Sequence, residues 1–301
     1  MRIAVTTSTF AEFSSEPLKL LEKAGFKFSL NPLGRKPTPA ETVKQLEGCV
    51  GVVAGTETLD AEVLAALPDL KVISRCGTGM DSVDLEFAKS RGIIVVNTPY
   101  GPTRAVAELT LGLILNLLRQ VSRMDRELRS GIWKKRMGRL LLGKKIGIVG
   151  MGRIGGAAAN TLIPLGARIA YTDPDCEHRD FERMSLDKLL SWAEIISLHC
   201  SKPEGEKPLL GEAELSRMTP GSLLINAGRG GLVDEDALYK LLKSGHLSGA
   251  ALDCFAEEPY VGPLSTLENV ILTPHIGSYA MEGRVQMEVD AVKNLINAFG
   301  L

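Results

Sequence analysis

The chain contains the stretch KIGIVGMGRIG at residues 145–155, in which a β-branched strand pattern runs directly into glycines spaced as G-x-G-x-x-G. Gly150 permits a tight turn, Gly152 lets the backbone approach a pyrophosphate, and Gly155 allows a helix to pack closely on the strand. The N-terminus of that helix presents N–H groups to the phosphates. We therefore predict a strand, turn and helix that bind a dinucleotide through Gly150, Gly152, Arg153, Ile154 and Gly155.

The next strand adds an acidic residue that bears on the choice of cofactor. This strand is predicted over residues 168–172 and is followed by Asp173, 18 residues after Gly155. A carboxylate there can accept hydrogen bonds from both hydroxyls of the adenosine ribose and repels a 2′-phosphate, which favours NAD over NADP. The alternative is a structural glycine turn with a surface aspartate, but here the conditions of the dinucleotide fingerprint are met together.

Short β-branched runs alternate with helical patterns on both sides of this stretch, which is typical of parallel sheets covered by helices. The predicted strands cover residues 3–6, 51–54, 72–74, 93–96, 145–149, 168–172, 195–198, 222–226, 249–252 and 270–272. The predicted helices cover residues 16–24, 61–66, about 104–130, 154–165 and 282–299. We therefore expect two doubly wound α/β domains, and the final helix can return to pack on the first of them.

Composition narrows the function classes. The 301 residues are 45% hydrophobic and 24% charged, with a net charge of −1, which excludes a general nucleic-acid binder. The five cysteines form no C-x-x-C pair, so we expect no metal cage or disulfide framework. The most apolar stretch, Leu109–Leu118, is too short to span a membrane, and residues 1–5 resemble a strand more than a signal peptide. We therefore predict a cytoplasmic protein that binds no membrane.

Three polar residues each follow one of the last three predicted strands, where the crevice of an open α/β sheet lies. They are Arg229, which stands between glycines, Glu258 and His275. A histidine can protonate the oxygen of a 2-keto acid during hydride transfer, an arginine can bind its carboxylate, and a glutamate can raise the histidine pKa. Each residue alone is as readily structural, but the three together, beside a nucleotide site, favour catalysis.

Seven motifs point to one family. They are 74–81 (SRCGTGMD), 97–99 (NTP), 105–108 (AVAE), 150–155, 226–231 (NAGRGG), 253–259 (DCFAEEP) and 274–277 (PHIG). Together they span nearly the whole chain and resemble the D-isomer-specific 2-hydroxyacid dehydrogenases. The closest resemblance is to short 3-phosphoglycerate dehydrogenases without a regulatory domain, so control by serine is not expected.

The resemblance implies roles for particular residues. Arg229, Glu258 and His275 correspond to the family's catalytic arginine, glutamate and histidine. The segment expected to contact the substrate comprises Arg75, Cys76, Gly77, Thr78 and Gly79. Further cofactor contacts are expected from His199, Cys200 and Asp253.

The resemblance also implies a domain arrangement. A flavodoxin-like substrate-binding domain is expected to comprise residues 1–98 and 281–301. A Rossmann NAD-binding domain over residues 99–280 is inserted into it, with the cleft between the two. A homodimer through the cofactor domain is expected.

The substrate is expected to be a small anionic 2-hydroxy or 2-keto acid, with 3-phosphoglycerate as the first candidate. The loop at residues 54–56 lacks the arginine that animal-type phosphoglycerate dehydrogenases use near the phosphate, which opposes that candidate. Arg75 and a partner subunit's Lys134, Lys135 and Arg136 could replace it, although a basic triplet is more often a solvated loop. The alternatives are a glyoxylate or hydroxypyruvate reductase, another 2-hydroxyacid dehydrogenase, or an NAD(H)-sensing binding protein.

Overall fold

The computed structural model describes residues 1–202, 205 and 207–301. Their strands are β1 (Arg2–Val5), β2 (Lys27–Leu30), β3 (Gly51–Ala54), β4 (Val72–Arg75), β5 (Ile94–Asn97), β6 (Lys145–Val149), β7 (Arg168–Thr172), β8 (Glu182–Arg183), β9 (Ile195–Leu198), β10 (Leu223–Asn226), β11 (Gly249–Leu252) and β12 (Val270–Leu272). Their α-helices are α1 (Glu16–Lys23), α2 (Pro39–Leu46), α3 (Ala61–Ala65), α4 (Leu85–Ser90), α5 (Gly101–Arg119), α6 (Val121–Arg129), α7 (Arg153–Leu162), α8 (Leu186–Trp192), α9 (Glu212–Arg217), α10 (Glu235–Lys243) and α11 (Met281–Ala298). Short 3-10 helices cover Ile163–Leu165 and Pro263–Thr266.

These elements form two compact units. The first comprises Met1–Pro102 together with Ser278–Leu301, and the second comprises Thr103–Gly277. The second unit is therefore inserted in sequence between the two parts of the first. The prediction of two parallel-sheet α/β domains, one inserted into the other, is confirmed.

The first unit contains a five-stranded parallel sheet in the order β2-β1-β3-β4-β5. This is the flavodoxin-like order of a doubly wound fold. Helix α11 completes one face of the sheet, where Met287, Ala291 and Leu295 are buried. The Ser74 hydroxyl on β4 donates to the Ala291 carbonyl at 2.6 Å, which anchors the helix to the sheet.

The second unit contains a seven-stranded parallel sheet in the order β12-β11-β10-β9-β6-β7-β8. The chain reverses direction across the sheet at β6, so a crevice opens where β6 and β9 end. Leu113, Ile114 and Leu118 of α5 cover one face of this sheet, and α8 to α10 cover the other. Because all strands are parallel, the loops after β6, β9, β10, β11 and β12 leave from one edge.

The long helix predicted over residues 104–130 is wrong in one respect, because the structure breaks it in two. Gln120 adopts a left-handed backbone conformation with φ of 53°, and α5 and α6 meet at an angle of 62°. The Asn116 side chain stabilises the break by accepting the Ser122 N–H at 2.8 Å. An apolar pattern alone does not reveal a side chain that ends a helix in this way.

No single helix in the described part of the chain is long and apolar enough to cross a membrane. Helices α5 and α6 pass that length and composition test only as a bent pair. Core helices of globular proteins pass the same test, and α5 has buried core residues.

Candidate active site

The glycine motif lies at the turn from β6 to α7, and packing explains why two of its three glycines lack a side chain. Gly150 has φ of 91°, and a Cβ there would lie 2.7 Å from the Cys200 backbone nitrogen. A Cβ on Gly155 would lie 1.9 Å from the Gly150 carbonyl oxygen, so only glycine lets the helix approach the turn. The first and third glycines are therefore required by packing within the protein.

The second glycine has a different role. A Cβ on Gly152 would meet no atom within 4 Å, so packing does not require glycine there. Gly152 is the N-cap of α7 and provides no side-chain cap, with Arg153 and Ile154 forming the first turn. Open space before an uncapped helix N-terminus suits a phosphate, which the N–H groups and the helix dipole would bind. This geometry fits the pyrophosphate of a dinucleotide.

Asp173 follows β7 directly and approaches the glycine turn. Its carboxylate accepts the N–H of Met151 at 2.7 Å, of Cys176 at 2.8 Å and of Asp175 at 2.9 Å. Partial burial acts to raise the pKa of Asp173, but these three backbone N–H groups outweigh it and lower the pKa. Asp173 is therefore an anion at neutral pH beside the turn, as a ribose-binding residue requires.

The loop after β9 contains the other predicted cofactor contacts. His199 Nε2 lies 2.8 Å from the Ser197 hydroxyl, and burial lowers the pKa of His199 to about 4, so the ring is neutral. Its Nδ1 is buried without a hydrogen-bond partner among the described residues. The Cys200 backbone packs against Gly150, which places Cys200 beside the turn. Contacts of these two residues with the cofactor stay a prediction.

Glu258 and His275 lie in direct contact. The His275 Nδ1 atom is 3.0 Å from one carboxylate oxygen of Glu258 and 3.1 Å from the other. The Glu258 carboxylate also accepts the Phe255 N–H at 3.1 Å, which helps to orient it. Contacts with Cys254 and with Glu258 raise the pKa of His275 to about 10, so the ring is protonated at neutral pH.

Asp253 holds the loop that carries His275. One Asp253 oxygen accepts the Thr273 hydroxyl at 2.7 Å and the Ile276 N–H at 2.8 Å, and the other accepts the Gly277 N–H at 2.8 Å. These bonds flank His275, whose φ of 54° is unusual for a residue with a side chain. The structure therefore assigns the Asp253 carboxylate to loop support, and its predicted cofactor contact stays a prediction.

Arg229 lies on the neighbouring loop after β10. The Asn226 side chain fixes this loop by donating to the Arg229 carbonyl at 3.0 Å and accepting the Gly228 N–H at 3.2 Å. The adjacent Gly230 packs so closely that a Cβ there would lie 1.7 Å from the Phe255 carbonyl oxygen. The loops that carry Arg229 and Glu258 are therefore in backbone contact.

The predicted substrate segment lies in the first unit. Arg75 ends β4, is buried, and donates to the Cys76 carbonyl. The Gly77 N–H donates to the Thr98 hydroxyl at 2.8 Å, so it has a partner within its own unit. Burial raises the pKa of the Cys76 thiol to about 11, which makes it unreactive. Substrate contacts of Thr78 and Gly79 stay a prediction.

Two features of these loops were not predicted from the sequence. One is the Cys254 thiol next to His275. Its position just beyond the end of β11, on the same loop as Glu258, could have suggested it. The other is Glu57, a buried carboxyl in the first unit that accepts the Gly55 N–H at 3.1 Å and the Thr6 hydroxyl. Burial raises the pKa of Glu57.

The basic triplet is partly neutralised within the second unit. Arg136 Nε donates to both carboxylate oxygens of Glu127, at 2.9 and 3.0 Å. Lys134 and Lys135 remain exposed. The hypothesis that all three cations receive a phosphate is therefore weakened, because Arg136 already binds a carboxylate.

Comparison with known proteins agrees with this geometry. Residues 111–277 match the family model described as D-isomer specific 2-hydroxyacid dehydrogenase, NAD binding domain. The chain is similar to D-3-phosphoglycerate dehydrogenase of Mycobacterium leprae, with 39% identity over 81% of this chain and 48% of that protein. It therefore spans about half the length of that relative. It is also similar to glyoxylate reductase of Thermococcus litoralis, with 40% identity over 85% of this chain and 81% of that protein.

A solved structure extends the likeness to the whole fold. The TT0316 protein from Thermus thermophilus superimposes with a TM-score of 0.92 and 37% identity, covering 100% of this chain and 97% of that one. The matched family model is that of an NAD-binding domain, and the glycine turn with Asp173 fits this cofactor. The chain therefore belongs to the D-isomer specific 2-hydroxyacid dehydrogenase family.

Proposed function

We propose that this chain is an NAD-dependent D-2-hydroxyacid dehydrogenase in which His275 transfers the proton, Glu258 orients His275, and Arg229 binds the substrate carboxylate. The observation that carries the proposal is the contact of His275 Nδ1 with both oxygens of Glu258, at 3.0 and 3.1 Å. NAD, when bound at the glycine turn, supplies or accepts the hydride.

The contact with Glu258 determines which ring nitrogen of His275 is available. Because Nδ1–H is held by the carboxylate, Nε2 is the nitrogen that can carry a transferable proton. In the reductive direction the Nε2–H donates its proton to the oxygen of the 2-keto acid as negative charge develops there. The other proton stays on Nδ1, hydrogen-bonded to Glu258. In the oxidative direction the neutral Nε2 accepts the hydroxyl proton.

Arg229 is suited to orient the substrate. Its guanidinium offers planar N–H groups that match a carboxylate in a bidentate pair. The loop is held by Asn226 and by its contact with the Phe255 backbone, so the backbone from which the Arg229 side chain extends is fixed relative to the Glu258 loop. A carboxylate held there would leave the adjacent carbonyl carbon to receive the hydride.

Among substrates, 3-phosphoglycerate is our first candidate, supported by the 39% identity to the mycobacterial enzyme of that name. A second candidate is glyoxylate or hydroxypyruvate. The pairing of Arg136 with Glu127 favours it, because one of the cations expected to bind a phosphate is already neutralised. The lack of an arginine in the loop at residues 54–56 favours it as well.

A panel of 2-keto acids tests the reaction and separates the candidates. The decrease in NADH absorbance is followed with glyoxylate, hydroxypyruvate and phosphohydroxypyruvate, in the unmodified protein and in His275→Ala and Lys135→Ala. We expect turnover of at least one acid and its loss in His275→Ala with NADH affinity retained. If Lys135→Ala raises the KM for phosphohydroxypyruvate and leaves the KM of the other acids unchanged, the phosphorylated substrate is supported. Tight NADH binding without turnover of any acid would instead indicate an NAD(H) sensor.

We also propose a homodimer through the second unit. The segment after α6 exposes large apolar side chains, including Trp133 at 82% and Met137 at 92% exposure. Exposed apolar clusters of this kind mark protein interfaces. Light scattering should give twice the chain mass for the unmodified protein. The double variant Trp133→Ser/Met137→Ser should shift the protein towards monomer. A monomeric unmodified protein would refute the proposal.

A further inference from the structure

A cysteine, a glutamate and a histidine meet in the second unit, although the proposed reaction uses only two of them. One ligand atom each from Cys254, Glu258 and His275 lies within 4.8 Å of the other two. In the part of the chain that the structure describes, this is the only group of three such side chains at that spacing. The thiol contacts His275, but the proposed reaction assigns it no proton to transfer and no contact with the substrate.

The three side chains are presented by two loops that are firmly held. Cys254 lies two residues after the end of β11 and is 2% exposed, and its Sγ lies 3.6 Å from the Gly228 carbonyl oxygen. The side chains of His275 and Glu258 are 46% and 39% exposed. The group thus has a buried sulfur and a nitrogen and oxygen that reach solvent. An ion can enter from the solvent side, and a fourth ligand position would face outward.

The donor set and its spacing suit one class of ion. Thiolate, imidazole and carboxylate bind Zn²⁺ at about 2.3, 2.0 and 2.1 Å, so neighbouring ligand atoms in a tetrahedral site lie about 3.3–3.7 Å apart. The Nδ1–carboxylate distances of 3.0 and 3.1 Å are close to that separation. Mg²⁺ and Ca²⁺ prefer oxygen ligands, whereas a thiolate selects Zn²⁺ and similar ions.

We propose that Cys254, Glu258 and His275 form a site for Zn²⁺ or a comparable thiophilic divalent cation, and that the bound ion reversibly blocks proton transfer. Binding requires the thiol and the imidazolium each to release a proton to solvent. The ion then takes the Nδ1 lone pair and neutralises Glu258. The ring keeps its Nε2–H but is neutral, so Nε2 can neither accept a proton from the substrate hydroxyl nor readily donate one to the keto oxygen. The inhibitory part rests on the proposed function, whereas metal binding itself does not.

Cobalt tests the site directly, because Co²⁺ commonly replaces Zn²⁺ and absorbs light. The protein is stripped with a chelator and titrated with Co²⁺ while the near-ultraviolet thiolate-to-cobalt band is recorded. We expect this band in the unmodified protein, its displacement by Zn²⁺, and its loss in Cys254→Val. Cys176→Ser is the matched control, since it removes a half-buried thiol outside the group and should keep the band. A band that is absent from the unmodified protein, or unchanged in Cys254→Val, would overturn the proposal.

Inhibition is measured separately, each variant against its own metal-free rate. Zn²⁺ should lower turnover of the unmodified protein, a chelator should restore it, and Cys254→Val should raise the half-inhibitory Zn²⁺ concentration by at least about tenfold. Equal zinc sensitivity in both proteins would refute the inhibitory role. If no acid is turned over, the proposed function fails, but the cobalt spectrum still decides whether the site exists.

Discussion

Gly230→Ala tests whether the contact between the Arg229 and Glu258 loops is needed for catalysis. A Cβ at this position would lie 1.7 Å from the Phe255 carbonyl oxygen and 2.4 Å from its carbon. Backbone atoms cannot rotate away as a flexible side chain does. Since contacts under 3.0 Å are essentially never observed for a real Cβ, the two loops must separate by at least about 1.3 Å.

The displacement acts on both proposed functional loops. Arg229 precedes the substituted residue, and the Phe255 N–H holds the Glu258 carboxylate at 3.1 Å. A misplacement of about 1 Å can reduce a rate by about 10²-fold, so we expect kcat to fall by roughly that factor. Overpacking of this kind costs about 1–3 kcal/mol of folding free energy, so the variant should remain folded.

The assay is steady-state reduction of the best 2-keto acid, with NADH affinity and thermal unfolding measured in parallel. NADH affinity should change by less than about threefold, because the glycine turn is a separate loop. Gly156→Ala is the matched control, since a Cβ on Gly156 meets nothing within 4 Å and the helix should tolerate it. A normal kcat in Gly230→Ala would show that the loop contact is dispensable.

Three further predictions concern the cofactor, the proton and the fold. Asp173→Ala should reduce the preference for NAD over NADP, and an unchanged ratio of kcat/KM for the two cofactors would contradict its proposed ribose contact. Because contacts with Cys254 and Glu258 raise the pKa of His275 to about 10, the protonated ring persists through neutral pH. In chelator-treated protein the rate of keto-acid reduction should therefore stay level above pH 7. It should fall only as the pH approaches the His275 pKa of about 10. Glu258→Gln should move the fall to lower pH by about 1–2 units, and an unchanged profile would exclude His275 as the titrating group. Asp253→Asn should destabilise the protein by about 2–4 kcal/mol in chemical denaturation, since an amide NH₂ would face backbone donors, whereas Thr273→Val should cost only about 1 kcal/mol. Equal denaturation midpoints for Asp253→Asn and the unmodified protein would contradict the loop-support role.

Buried parallel strands were the most predictable part of the fold. Gly51–Ala54, Lys145–Val149, Arg168–Thr172 and Ile195–Leu198 were predicted with the bounds that the structure shows. Such strands are covered on both faces and therefore appear as short, nearly continuous apolar runs. Strand β2 was missed because it lies at the sheet edge and is largely exposed, which removes the apolar signal. Helices α2, α4, α8, α9 and α10 were missed as well. Each has few turns in which a helical period can repeat, although α1 and α3 are as short and were predicted.

Some features of the candidate site could be predicted from the sequence, and others depend on the tertiary structure. The glycine spacing and Asp173 are local in sequence, so their chemistry could be predicted from neighbouring residues alone. The contact between Glu258 and His275 could be expected only because both follow adjacent parallel strands. The support of His275 by Asp253 and the approach of the Cys254 thiol depend on the left-handed backbone at His275 and on side-chain rotamers. The sequence places Cys254 on the same loop as Glu258, but it does not show that the thiol reaches His275.

The position of α11 has a consequence for folding during synthesis. The second unit is continuous in sequence and can fold once residue 277 has emerged, whereas the first lacks one face of its core until α11 is made. Residues 103–277 separate the two parts, which corresponds to about 9–35 s of translation at roughly 5–20 residues per second. During that interval the face of β3 and β4 that carries Val53 and Val72 lacks α11, while α2 to α4 can already cover the opposite face. The nascent first unit is therefore the part of the chain most in need of chaperone protection.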